Sequence, residues 1–291
     1  NTTEGINSTI YAKDVIFSNV GGFYDAPLSL SLSSTDGSGI VRYTTNGSEP
    51  TSKSSVFSSP IFVSSTTIIS ARVFEAGKLP GTVVSSSYFI NEERTLPAFS
   101  IIAERDYVMG RERGIYLNSL KDKEIPVNLE FFPIDGGVGF SQGTGMRIGG
   151  ENIYRFAQKP LNIYARGDYG ESQIDYKVFD HLPFQAYKRL YLRNSGDDLP
   201  YTMIRDGMIS SLIRDDVSNS VQAYRPTVLY LNGDYWGIYN LREKLDNQYF
   251  SLHYNTSQAD LDHLESDNTV IEGDATDYVQ LLQFAGTNDL S

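Results

Sequence analysis

The 291-residue chain has no cysteine, which excludes disulfides, thiolate nucleophiles and Cys-bound zinc and is compatible with an exported protein. Histidine is scarce. The three present, His181, His253 and His263, show no His-x-x-x-His or similar spacing, which argues against a histidine-rich zinc site. Positive charge is also short: 24 Lys and Arg face 36 Asp and Glu, for a net charge of -12. With no basic run to offset that balance, a phosphate backbone would be repelled and nucleic acid is not an expected partner. No stretch approaches the roughly 20 consecutive apolar residues of a transmembrane helix. The first residues, NTTEGINSTIYAKD, have neither the basic region nor the apolar centre of a signal peptide.

What remains is an ordinary globular composition, 40% hydrophobic and 21% charged, with a high content of aromatics, 20 Tyr and 15 Phe. The length predicts two domains, each able to bury its own core. Residues 15–90 are rich in Ser, Thr and Gly and carry short apolar alternations between turns: LSLSL, IVRYTT, TIISARVF and VVSSSYFI. Asn46-Gly47 followed by Pro50 supplies a tight turn between two of them, and the set predicts a small β-sandwich. The charged, proline-ended stretch 91–97, NEERTLP, reads as a domain linker.

Beyond it the texture mixes β and α. Strands are expected at 98–103, 125–132, 159–166 and 187–194, with a glycine-interrupted extended stretch at 137–150. Helices are expected at 200–214, 245–253 and 275–284. The first would place Tyr201, Ile204, Met208 and Leu212 on one face, and Asp274 with Gly286 would delimit the last. TVLYLNGDYWGIYNL reads as a hairpin turning at Asn232-Gly233, with Trp236 and Tyr239 as packing residues and Asp246 as cap of the helix that follows. At the end of its second strand, Glu243 is either the partner of a buried lysine elsewhere or a surface mate of Arg242 or Lys244.

Two family resemblances rest on these segments. FSNVGGFYDAPLSLSL, IVRYTTNGSEPT and TIISARVFEAGKLPGTVVSSSYFI together resemble the immunoglobulin-like module of the chitobiase and β-hexosaminidase C-terminus. That module is an accessory domain, and its Phe23, Tyr24, Tyr43 and Phe74 are read as core residues in preference to sugar-stacking ones. From Leu96 onward, LPAFSII, GIYLN, PVNLEFF, GFSQGTGMRIGGENIYRFAQKPLNIYAR, LRNSGDD and NGDYWGIYNLREKLD resemble, in order, the spore-coat-protein-H-like (CotH) kinase family. The combined expectation is a multidomain chain. Residues 1–91 form an all-β immunoglobulin-like sandwich. Residues 97–291 form an α+β, atypical protein-kinase-like portion, truncated at its C-terminal end.

The CotH resemblance implies transfer of phosphate from ATP, with Mg2+, to Ser or Thr of surface or secreted proteins. Such chemistry needs positioned backbone near the phosphates, cations against them and carboxylates for the metal. Gly149 and Gly150 would allow close backbone approach, and Arg147, Arg155 and Lys159 would supply positive charge. Lys159 would face the phosphates and Glu243 would orient it through an ion pair. Asp197, Asp198 and Asp206 read as turn and helix-start residues. No Trp-Asp-x-Asp-like segment is found, so no catalytic or metal-ligating residue is assigned, and this portion is expected to be inactive by itself. The alternative function is a non-catalytic surface protein for adhesion or glycan binding. A glycoside hydrolase is the weakest reading, since no pair of carboxylates is singled out. Location outside the cell or on its surface is expected. Asn-x-Ser/Thr sequences at Asn1, Asn7, Asn46 and Asn255 are read as turn chemistry.

Overall fold

The computed structural model describes residues 10–118, 123–150, 155–214 and 221–288. The N-terminal part is built from nine short strands: β1 (Val15–Phe17), β2 (Gly22–Tyr24), β3 (Leu28–Leu30), β4 (Leu32–Ser34), β5 (Ile40–Thr44), β6 (Ser55–Val56), β7 (Ile61–Val63), β8 (Thr67–Phe74) and β9 (Val84–Ile90). Five of them make a sheet in the order β2-β9-β8-β5-β6, and the pairs β1-β4 and β3-β7 complete the sandwich. Period-two alternation sends Leu30, Leu32, Val41, Val63, Ile69, Ala71, Val73 and Tyr88 into its core. Tyr24 and Tyr43 pack against that core, whereas Phe23 points away from it, toward the second unit.

That second unit is a closed barrel. Its strands are β10 (Ala98–Ile102), β11 (Ile125–Phe132), β12 (Phe140–Ile148), β13 (Leu161–Tyr164), β16 (Arg189–Arg193), β17 (Tyr224–Leu231) and β18 (Asp234–Glu243), with the small ladder β14 (Ile174–Asp175) and β15 (Ala186–Tyr187) set between β13 and β16. The barrel order is β10-β11-β12-β13-β16-β18-β17, closed by the parallel pairing of β17 with β10. Inward residues of every strand form one core, among them Phe99, Leu129, Met146, Ile163, Leu192 and Leu241. Two short helices, α1 (Arg105–Met109) and α2 (Ile115–Asn118), add Val108, Ile115 and Tyr116 to it.

Three longer helices lie near the predicted places: α3 (Arg205–Ile213), α4 (Asn247–Tyr254) and α5 (Thr276–Thr287), the last following a hairpin of β19 (His263–Glu265) and β20 (Thr269–Glu272). Helix α3 starts later than expected because Asp198 holds the preceding turn, accepting from Thr202 Oγ1 at 2.5 Å and from the Arg205 N–H at 3.0 Å. The apolar face predicted for it is not a buried face: Tyr201, Ile204, Met208 and Leu212 are all exposed. Asp246 caps α4 as the sequence implied, accepting from the Tyr249 N–H at 3.0 Å, and Asn255 ends it in the left-handed region. The Asp274 side chain takes the Thr276 N–H at 2.7 Å, and α5 runs on through Gly286 to Thr287. Among the described residues no helix is long and apolar enough to cross a membrane.

Residues 91–97 connect β9 to β10, but they do not hold the units apart. β9 alternates like any strand, so Tyr88 and Ile90 enter the sandwich core while Ser87 and Phe89 face the barrel. Phe23, Phe89, Phe132 and Tyr230 form a cluster there, with the Phe89 ring centroid 4.5 Å from Phe23 and 4.3 Å from Tyr230. Burying each such ring contributes roughly 1.5–3 kcal/mol. A second contact joins two turns. Asn232 (φ 51) and Gly233 (φ 86) make the predicted hairpin bend, and the Asn232 amide bonds the Ala103 N–H and carbonyl, each at 2.9 Å. The Asn46-Gly47 turn of the sandwich packs on that same amide, and a Cβ at Gly47 would collide with it.

Candidate functional site

The residues singled out in the sequence fall around the β12–β13 connection. Strand β12 ends at Ile148, and the Gly149 N–H then donates to the Pro160 carbonyl at 2.9 Å, so this donor is occupied by the turn itself. Gly149 is required for close packing, because a Cβ would collide with the Asn162 amide. Gly150, at φ +81, takes the backbone through a conformation that side chains disfavour. The descending segment is tied to neighbouring strands. Gln158 donates to the Ile238 carbonyl at 2.8 Å, Asn194 donates to the Gln158 carbonyl at 2.6 Å, and the Tyr239 hydroxyl donates to the Lys159 carbonyl at 2.9 Å.

Lys159 is thereby fixed just before β13. Its ammonium donates to the Phe156 carbonyl at 2.8 Å, and burial lowers its pKa from the ordinary lysine value. Arg147 lies beside the turn, with Nη2 donating to the Tyr164 hydroxyl at 2.6 Å. Arg155 reaches Asp197 at 2.7 Å, an exposed pair with an energetic weight of about 0–1 kcal/mol.

Glu243 is not part of this group. Leu161, Leu192 and Leu241 are in register across β13, β16 and β18, which sets Lys159 level with Tyr239 and Glu243 four residues further along. At about 3.3 Å per residue and 4.8 Å per strand, their backbones are on the order of 15 Å apart. The Glu243 carboxylate is held elsewhere: Oε2 accepts from the Ala223 N–H at 3.0 Å, and Oε1 is 2.8 Å from His253 Nε2. The expected Lys159–Glu243 ion pair is therefore not formed. Nor does Glu243 pair locally with Arg242, since strand alternation points the two to opposite faces of β18.

The same alternation exposes a feature that the sequence reading missed. Arg147, Asn162, Tyr191, Arg242 and Tyr224 are consecutive partners in one row across five strands, all on the outer side of the barrel. Asn162 and Arg242 are buried in that row. Arg242 Nη2 bonds Ser210 at 3.0 Å and is 3.8 Å from Asp206, which also accepts from Arg193 at 2.8 Å. Asn162 Oδ1 and Arg242 Nε and Nη1 have no partners among the described residues, and burial pulls the Arg242 pKa down. Lys244 sits 5.8 Å from the Tyr191 ring centroid. In a chain of net charge -12, the row thus holds two arginines, Arg147 and Arg242, with Lys244 beside Tyr191. A polar Asn inside the apolar run PLNIYAR was the available signal. Its meaning depends on which residues stand beside it across the sheet.

Asp197, Asp198 and Asp206 have the structural roles expected, in an ion pair, a turn and an arginine clamp. Among the described residues no group of three or more His, Asp or Glu side chains is placed to hold a metal ion.

Two family models match parts of the chain, one in the sandwich and one opening within β12. Residues 19–85 match the family model described as chitobiase/beta-hexosaminidase C-terminal domain, and residues 146–287 match that described as CotH kinase protein. The second match opens one residue before Arg147 and takes in Gly149, Gly150, Arg155, Lys159 and Glu243. No curated protein matches the chain.

Proposed function

We propose, from the CotH kinase match that spans the barrel's polar outer row, that the protein is a CotH-type, kinase-like phosphotransferase and that its β12–β13 turn receives the phosphates of ATP. What supports this reading is that Arg147, Gly149, Gly150 and Lys159 flank one strand connection inside the matched region. In the adjoining row the buried Arg242 guanidinium keeps donors unfilled among the described residues, and Gly149 lets the turn pack directly on the Asn162 amide.

ATP would supply the transferred phosphoryl group. The chain's own part is positioning and charge neutralisation, with Arg147 and Lys159 against the phosphates and Tyr239 fixing the lysine backbone. Burial lowers the lysine pKa, and a partly dehydrated ammonium gives up less hydration when it meets an anion. Glu243 acts at a distance, by holding His253 and the Ala223 amide at the other end of β18. We assign no step to Mg2+, and the phosphoacceptor is inferred from the family alone as Ser or Thr of a protein outside the cell.

Calorimetric titration with Mg-ATP tests this reading. Lys159→Ala and Arg147→Ala should each weaken binding tenfold or more, about 1.4 kcal/mol. Glu243→Ala should cost roughly 1–3 kcal/mol of stability through its orphaned donors while leaving nucleotide affinity nearly unchanged. Absence of saturable binding, or binding indifferent to both cation substitutions, would remove the turn from the mechanism.

A further inference from the structure

Between the sandwich and the hairpin of β11 and β12 lies a cleft of about 740 Å³, within the range of roughly 300–1,000 Å³ usual for small-molecule sites. It is on the side of the barrel away from the cationic row, and nothing in the nucleotide reading uses it. Half-buried Phe17 and Phe132 supply apolar walls, and the backbone of Gly136 and Gly137 forms part of the rim. Two charged residues of opposite sign line it. Arg94 lies 4.5 Å from the Phe23 ring centroid and donates to the Pro133 carbonyl at 2.7 Å. Glu130 is only 3% exposed. Its Oε1 accepts weakly from the Ser87 N–H at 3.3 Å and Ser86 Oγ at 3.4 Å, and Oε2 is buried with no hydrogen-bond partner among the described residues.

A buried carboxyl with one oxygen unfilled is costly to the fold by itself, which motivates a ligand with hydroxyl or amide groups to satisfy it. The chemistry narrows the ligand further. A simple anion would face the Glu130 carboxylate, a simple cation would face Arg94, and a purely apolar molecule would leave the carboxyl as it is. A neutral molecule that combines apolar faces with many hydroxyls meets all three conditions. We propose that this cleft binds a neutral carbohydrate, whose ring faces lie on Phe17 and Phe132 and whose hydroxyls bond the Glu130 carboxyl and the Arg94 guanidinium. The site needs both units, because Phe17 comes from β1 while Glu130 and Phe132 come from β11.

The test is a titration of the whole chain at pH 7.5, by calorimetry or NMR, with neutral trisaccharides of glucose and of N-acetylglucosamine, and with choline and inorganic phosphate as charged comparators. At least one trisaccharide should bind saturably. Glu130→Leu, which removes the carboxyl, and Val138→Arg, which crowds the mouth from a loop position 92% exposed, should each weaken it tenfold or more without lowering the thermal midpoint. Mg-ATP affinity should be the same in both variants as in the parent chain, which separates this site from the turn. No saturable binding by either sugar, equal sugar affinity in both variants, or Glu130-dependent binding of choline or phosphate instead would overturn the proposal.

Discussion

Two faces of one barrel show how the same strand pattern yields different chemistry. On β10, β11 and β17 the outward residues Ala98, Ser100, Glu130, Phe132, Val228 and Tyr230 lie under the sandwich. On β12, β13, β16 and β18 the outward residues Arg147, Asn162, Tyr191 and Arg242 have no sandwich over them. The first face is mostly apolar and tolerates one buried acid, whereas the second gathers cations and an amide. The sandwich selects rings that exclude water on the first face, whereas the second is covered by α3, which holds the buried Arg242 through Ser210 and Asp206.

The largest effect that would break this contrast is loss of the shared aromatic cluster. Phe89→Ala should cost about 3–5 kcal/mol. Denaturant unfolding followed by tryptophan fluorescence, which reports the barrel through Trp236, and by circular dichroism should then show the sandwich and barrel melting apart. If the two probes still coincide at the parent midpoint, the cluster does not couple the units.

Next in size is the acid on the sandwich-covered face. Burial pushes the Glu130 pKa up to about 7, against an ordinary value of 4.5. The folded state therefore binds the proton more tightly than the unfolded chain, and stability falls as pH rises from 4.5 to 7, then levels off. The amplitude is roughly 3 kcal/mol. Glu130→Gln should remove that slope and leave the variant more stable than the parent above pH 7, measured as chemical denaturation midpoints across the pH range. A parent curve that rises over this interval, or an unchanged slope in the variant, would contradict the unpaired carboxyl.

The smallest effect sharpens the comparison at the other end of β18. Asp246→Ala removes the cap of α4 and the 3.0 Å contact with Arg189, and should cost about 1 kcal/mol in thermal denaturation. No change in the melting midpoint would show that the cap is replaced by another acceptor.

Much of the architecture was legible before any coordinates. Strict alternation in IPVNLEFF fixed β11 to the residue, Asn232-Gly233 fixed the hairpin, and Asp246 marked the start of α4. These are local signals, carried by side-chain period, positive φ and capping. The candidate site was legible only in part. Arg147, Gly149, Gly150 and Lys159 are close in sequence and flank the β12–β13 connection, whereas Glu243, paired with Lys159 on resemblance alone, is held by Ala223 and His253 instead. Helix α3 shows the same limit: its apolar spacing predicted a helix correctly but not a buried face.

By itself, then, the sequence determined where strands, turns and helix caps occur, the two-part organisation and the acidic balance, because each depends on residues near one another along the chain. Only the tertiary structure decided the strand neighbours, and with them the Arg147–Asn162–Tyr191–Arg242 row, the His253 partner of Glu243 and the burial of Glu130 beneath the sandwich. The reason is geometric. A strand's own pattern says which side chains share a face, but barrel closure and domain packing decide what stands opposite that face.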